Sequence, residues 1–99
     1  MLFSDFETGG AMWTGEGPRE HRQAIRFEHP FQAVPAVHIG LTMWDIEQGE
    51  NQRVDIRAEE ITGTGFTIVF ATWGKTHSAR IRADWLAIGP VPFEEDFDL

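Results

Sequence analysis

The run GFTIVFATWGKT, residues 65–76, alternates as far as Ala71 and then delivers Trp73 into a segment of Gly, Lys and Thr. A tryptophan where a strand gives way to a loop either packs at the strand end or leaves an indole face open to a ligand. In the second case the chemistry is stacking on the apolar C–H patch of a sugar ring, which buries area at little entropic cost. Such a site also needs forked donors and paired acceptors for adjacent hydroxyls, which an arginine and a carboxylate supply. Arg53 follows the polar turn GENQ on the outward parity of its strand, and Glu16 lies in the Gly-flanked loop TGEGP. Taken singly, each of these charges also fits a solvated surface residue.

Other chemistries lack their residues. The four histidines, His21, His29, His38 and His77, do not fall at the spacing of a zinc helix, so no metal or cofactor is expected. His38 alternates with Val37 and Ile39 and reads as structural. Ser4 and Ser78 are the only serines, and neither sits in a nucleophile elbow. GEGPRE lacks the Lys-Ser/Thr pair of a phosphate loop. Glu16 and Asp55 can be nominated as a carboxylate pair, but sequence fixes no distance between them. An enzyme is not expected.

The elements that must position Trp73, Arg53 and Glu16 follow from period-two patterning. Residues 1–20 carry many glycines and read as an irregular N-terminal segment, with a short strand around residues 12–13. Alternation starts from Gln23, with Ile25 and Phe27 on one face, and two prolines interrupt it at Pro30 and Pro35. Val37, Ile39, Leu41 and Met43 share the inner face of the next strand. Val54, Ile56 and Ala58 alternate with Arg53, Asp55 and Arg57. Phe66, Ile68 and Phe70 oppose Thr67, Val69, Ala71 and Trp73, and Ile81, Ala83 and Trp85 oppose Arg80, Arg82 and Asp84. A helix over residues 45–60 is the competing reading, but Gly49 interrupts it. Short strands at roughly ten-residue spacing predict an all-β, antiparallel sandwich. An acidic tail, residues 91–99, closes the chain.

Composition sets outer limits. Ninety-nine residues make one domain over 1–99, with eight Phe and four Trp for its core and no Cys. A chain of this length buries somewhat more than ~60% of its unfolded surface, enough to fold without staples. The net charge of -8, from 16 acidic and 8 basic residues, argues against a nucleic-acid partner. No apolar run approaches the ~18 residues of a membrane span, so no membrane insertion is expected. No signal peptide is visible at the start, which points to a cytoplasmic protein or one exported by a non-classical or particle-borne route.

The order of the motifs adds a resemblance. Phe27, Pro30 with Phe31, Pro35 with Val37, Asp45, the run Asn51, Gln52, Arg53, Val54, then Thr62, Gly65 with Phe66, Thr72 with Trp73, Thr76, and Trp85 with Ala87 occur in sequence. Together they resemble the H-type lectin domain of snail agglutinins and discoidins, over residues 24–89. The resemblance implies a six-stranded antiparallel β-sandwich that assembles as a homotrimer, or a hexamer of paired trimers. It also implies sites for glycans ending in galactose or N-acetylgalactosamine at subunit boundaries, without metal. The family's sugar-binding Arg falls on Arg53, its stacking Trp on Trp73, its acid on Glu16, and a glycine giving backbone contacts on Gly15. Two departures stand out. Gly74 occupies the place where sugar-binding members commonly carry His, and Ala79 replaces a Tyr. His77 lies between them as a partial substitute. A second reading keeps the sandwich but not the sugar: a trimeric structural or adhesion module of a phage-like or secreted particle, with a degenerate site.

Overall fold

The computed structural model describes residues 2–3, 12, 15–47 and 52–91, and these form six antiparallel strands. They are β1 (Leu2–Phe3), β2 (Arg19–Arg26), β3 (Ala36–Ile46), β4 (Val54–Glu59), β5 (Gly65–Thr72) and β6 (Ser78–Ile88). One sheet has the order β1-β6-β3 and the other β2-β5-β4. The sandwich expected from the patterning is therefore present, and residues 54–59 are strand rather than helix.

The two inner faces meet over Phe66, Ile68, Phe70, Ile81 and Ala83, all buried, with Ile25, Val37, Ile39, Leu41, Val54, Ile56 and Ala58 packed around them. Full burial of a side chain such as Ile68 or Phe70 contributes about 1.5–3 kcal/mol. β5 is the central strand of its sheet and supplies the densest part of this core.

The structure departs from the patterning at four places. β2 starts at Arg19 rather than at Gln23: its inward residues Arg19 and His21 are polar and show no apolar period, and pairing with β5 along its whole length defines the strand instead. In β3 the register shifts between Leu41 and Met43, so Met43 stands opposite the exposed Arg82 instead of continuing the inner row. β1 adds two residues to the edge of β6 within the segment expected to be irregular. Of the strand expected around residues 12–13, Met12 is buried with helical backbone, and Trp13 lies outside the described residues. The tail expected over 91–99 lies outside them too, apart from Val91.

Val69 points away from the core and is nevertheless fully buried. Register places it between two long side chains: Arg22 on β2 and Arg57 on β4 stand opposite Val69 on either side, and arginine stems commonly cover apolar surface in this way. Their guanidinium groups bind the surrounding carboxylates. Arg22 reaches Glu20 at 3.1 Å, Glu59 at 3.0 Å and Glu60 at 3.5 Å, while Arg57 reaches Asp55 at 2.8 Å, Glu20 at 3.5 Å and also Glu59. Hydrogen bonds from Arg57 and then Arg22 lower the Glu59 pKa below its ordinary value. The pKa values of Arg22 and Arg57 are raised, each chiefly by its hydrogen bond to Glu59.

Candidate functional site

Register alone brings the three sequence-nominated groups to one end of the β2-β5-β4 sheet. Arg19, Thr72 and Val54 lie side by side across the three strands. Trp73 is the next residue after Thr72, Arg53 the one before Val54, and Glu16 lies three residues ahead of Arg19. The antiparallel sheet thus collects residues far apart in the chain without help from any long loop.

Trp73 is 40% exposed, although its strand neighbour Thr72 is buried. An open depression of about 480 Å³ lies beside it, lined by Pro18, Arg19, Glu20, Ala71 and Thr72 as well as Trp73. Ala71 has the small side chain in this lining, which leaves room above the sheet. After Trp73 the chain turns at Gly74, whose φ of 67° suits glycine and strains residues bearing a Cβ.

The Arg53 side chain runs past that turn. A Cβ placed on Gly74 would stand 3.6 Å from Arg53 Cδ and 3.9 Å from Nε, so the stem rests over the bare glycine. The Arg53 backbone N–H donates to Oγ1 of the buried Thr76 at 2.9 Å. Arg53 is therefore seated by a backbone bond and by its stem, and the residue itself is exposed.

Glu16 is exposed on a loop whose backbone is tied to the same turn. Gly17 N–H donates to the Gly74 carbonyl at 2.9 Å, and Gly17 itself has φ of 74°. The Arg19 guanidinium donates to the carbonyls of Gly15 at 2.8 Å, Gly17 at 2.9 Å and Gly74 at 3.0 Å. Sequence reading missed Arg19 as a member of this end. These three partners are backbone carbonyls, which every residue carries, so nothing in the pattern of side chains announces them.

His77 is placed differently. Its Nδ1 lies 2.6 Å from Glu47 Oε2, an N–H···carboxylate contact, and its carbonyl accepts from Glu47 N–H at 2.9 Å. The residue joins the end of β3 to the turn before β6, so its Nδ1 already has a partner in the fold. Among the described residues no group of three or more His, Asp or Glu is placed to hold a metal ion. Among them, too, no helix is long and apolar enough to cross a membrane.

Comparison with known proteins supplies the family. Residues 22–88 match the H-type lectin domain family. The chain is 58% identical over 99 residues to "ATP synthase subunits region ORF 7" of Fuscovulum blasticum, covering all of this chain and 86% of that protein. It is 33% identical over 87 residues to a discoidin-1 polypeptide of Dictyostelium discoideum, covering 85% of this chain and 34% of that one. The solved structure of recombinant discoidin II from the same organism superposes with a TM-score of 0.80 at 27% identity, over 90% of this chain and 34% of that chain. The chain thus spans about a third of the length of the discoidins it matches. A lectin-like, non-enzymatic role follows from the family. The chain belongs to the H-type lectin domain family.

Proposed function

We propose that the protein binds glycans ending in galactose or N-acetylgalactosamine at the Trp73 end of the β2-β5-β4 sheet. Trp73 serves as the stacking surface, Arg53 as forked donor to sugar hydroxyls, and Glu16 as acceptor. The backbone of Gly15 and Gly74 forms the rim, and His77 stands at its side. In this reading the chain is a homotrimer, or a hexamer of two trimers, with each site completed at a subunit boundary. One observation carries it: a half-open indole stands at the strand end with Arg53 over the adjacent glycine and the Glu16 loop bonded to that same glycine.

A shallow single site of this kind binds weakly, and display of several copies on one face raises avidity by about 10²–10⁴. A closed three-fold ring displays its sites in parallel. The test is Trp73→Ala. The variant should lose binding to immobilised galactosides and to a glycan array, while light scattering reports the same oligomer as the parent. Binding retained by that variant rules out the stacking role. A wild-type array without a hit favours the structural-module reading instead.

A further inference from the structure

We propose that Arg19 is a positioning residue, whose guanidinium aims Glu16 and fixes its loop to the Trp73 turn. This rests on the sugar-site reading above and adds to it a residue that touches backbone rather than ligand.

Glu16 stands between two glycines. Glycine has more backbone freedom than any other residue, and Gly17 uses it, with φ of 74°. A carboxylate on such a segment would be poorly aimed, and ordering it when a ligand arrives would subtract from affinity. Arg19 removes that freedom. Two of its hydrogen bonds go to the carbonyls of Gly15 and Gly17, one on each side of Glu16. With both flanking carbonyls held, the direction of the Glu16 Cα–Cβ bond is set. The third bond goes to the Gly74 carbonyl, which also accepts from Gly17 N–H. Loop and turn are therefore joined at one oxygen, one residue beyond Trp73.

Only arginine has the shape for this. Its planar fork presents five N–H donors in fixed directions, whereas lysine offers one compact ammonium. The donors are charged and the site is part-buried, so each contact is stronger than an exposed neutral one. Arg19 also sits in the row of Thr72 and Val54, where strand pairing holds its own backbone still.

The experiment compares the wild-type chain with Arg19→Lys and Arg19→Gln, using NMR amide exchange and titration with methyl galactoside. Protection of Ile68 and Phe70 in β5 should persist in both variants. Exchange at Gly17 N–H should accelerate about tenfold or more, galactoside binding should weaken by a similar factor, and Lys should do no better than Gln. Unchanged Gly17 exchange overturns the proposal, as does restoration of both readouts by Lys, or faster exchange with unaltered binding. If the wild-type chain takes up no galactoside, the sugar reading fails, and Gly17 exchange alone decides the clamp. Should both variants lose β5 protection, the wild-type Arg19 Nε–H signal decides it. Slowed solvent exchange there supports the clamp, and exchange as fast as that of a free arginine overturns it.

Discussion

Trp73 and Trp85 are almost equally exposed, at 40% and 39%, and they occupy opposite ends of β5. Trp85 packs edge-on against Phe66 at 5.2 Å and leans on Phe27 at 5.7 Å, and Phe27 in turn meets Phe31 at 5.1 Å. Its buried part closes one end of the core. No described ring stacks on Trp73, whose neighbours around the depression are Pro18, Glu20 and Ala71. That end is organised by hydrogen bonds to the backbone and by the buried polar side chains of Thr72, Thr76 and Ser78. Ser78 Oγ has no hydrogen-bond partner among the described residues. Equal exposure therefore hides two different jobs. An aromatic cluster supplies stability, whereas a polar end gives up some stability to hold a fixed arrangement, as functional sites commonly do.

The largest effect expected from this contrast is on folding. Trp85→Ala should cost about 3 kcal/mol, the usual range for removing a large aromatic from packed surroundings. Trp73→Ala, the variant proposed above to test stacking, should change stability by less than about 1 kcal/mol. Urea unfolding of the two variants measures both numbers. Equal losses would erase the distinction between the two ends, and the case for Trp73 as a ligand surface would go with it.

The same division explains what could be read in advance. Phe66, Ile68 and Phe70 alternate because the core requires it, so β5 and its neighbours were legible from the sequence. The first half of β2 was not, since its inward residues are polar and only the partner strand defines them. β1 is two residues long and shows no period. At the candidate site the positions of the nominated residues were legible: an aromatic at a strand end, an arginine just ahead of the next strand, an acid between glycines. What joins them was not. Arg19 grips carbonyls, Thr76 accepts from the Arg53 backbone, and backbone partners leave no trace in side-chain pattern.

A middling effect belongs to Thr76. Thr76→Val keeps the shape and removes the acceptor for Arg53 N–H, leaving a part-buried donor unpaired at a cost of about 1–3 kcal/mol. Thr42 provides the control, because its hydroxyl reaches the Arg82 carbonyl only at 3.4 Å from an exposed position. Thr42→Val should fall within about 0.5 kcal/mol of the parent. Thermal unfolding of the two variants separates them. If Thr76→Val is as mild as the control, the polar end is not held in the way its hydrogen bonds indicate.

The smallest effect concerns the charged outer face that adjoins the Trp73 end. Glu59 titrates at its ordinary value, near 4.5, in the unfolded chain, and lower in the folded one, chiefly through the Arg57 hydrogen bond. Between those two values the unfolded chain binds more protons, so stability rises with pH. The contribution is fully present above the unfolded value and is lost as pH falls through the folded one. Glu59→Gln should therefore be less stable than the parent at about pH 6, and the difference should shrink towards about pH 3. The difference should be small throughout, and smaller in high salt, since exposed ion pairs are screened. A difference that grows on acidification contradicts the assignment. Galactoside binding adds a sharper edge, because Glu20 both lines the depression and accepts from Arg22 at 3.1 Å. If Glu59→Gln leaves binding untouched at about pH 6, the charged face and the Trp73 end act independently. If binding shifts, Arg22 and Arg57, released from Glu59, have drawn Glu20 away from the depression.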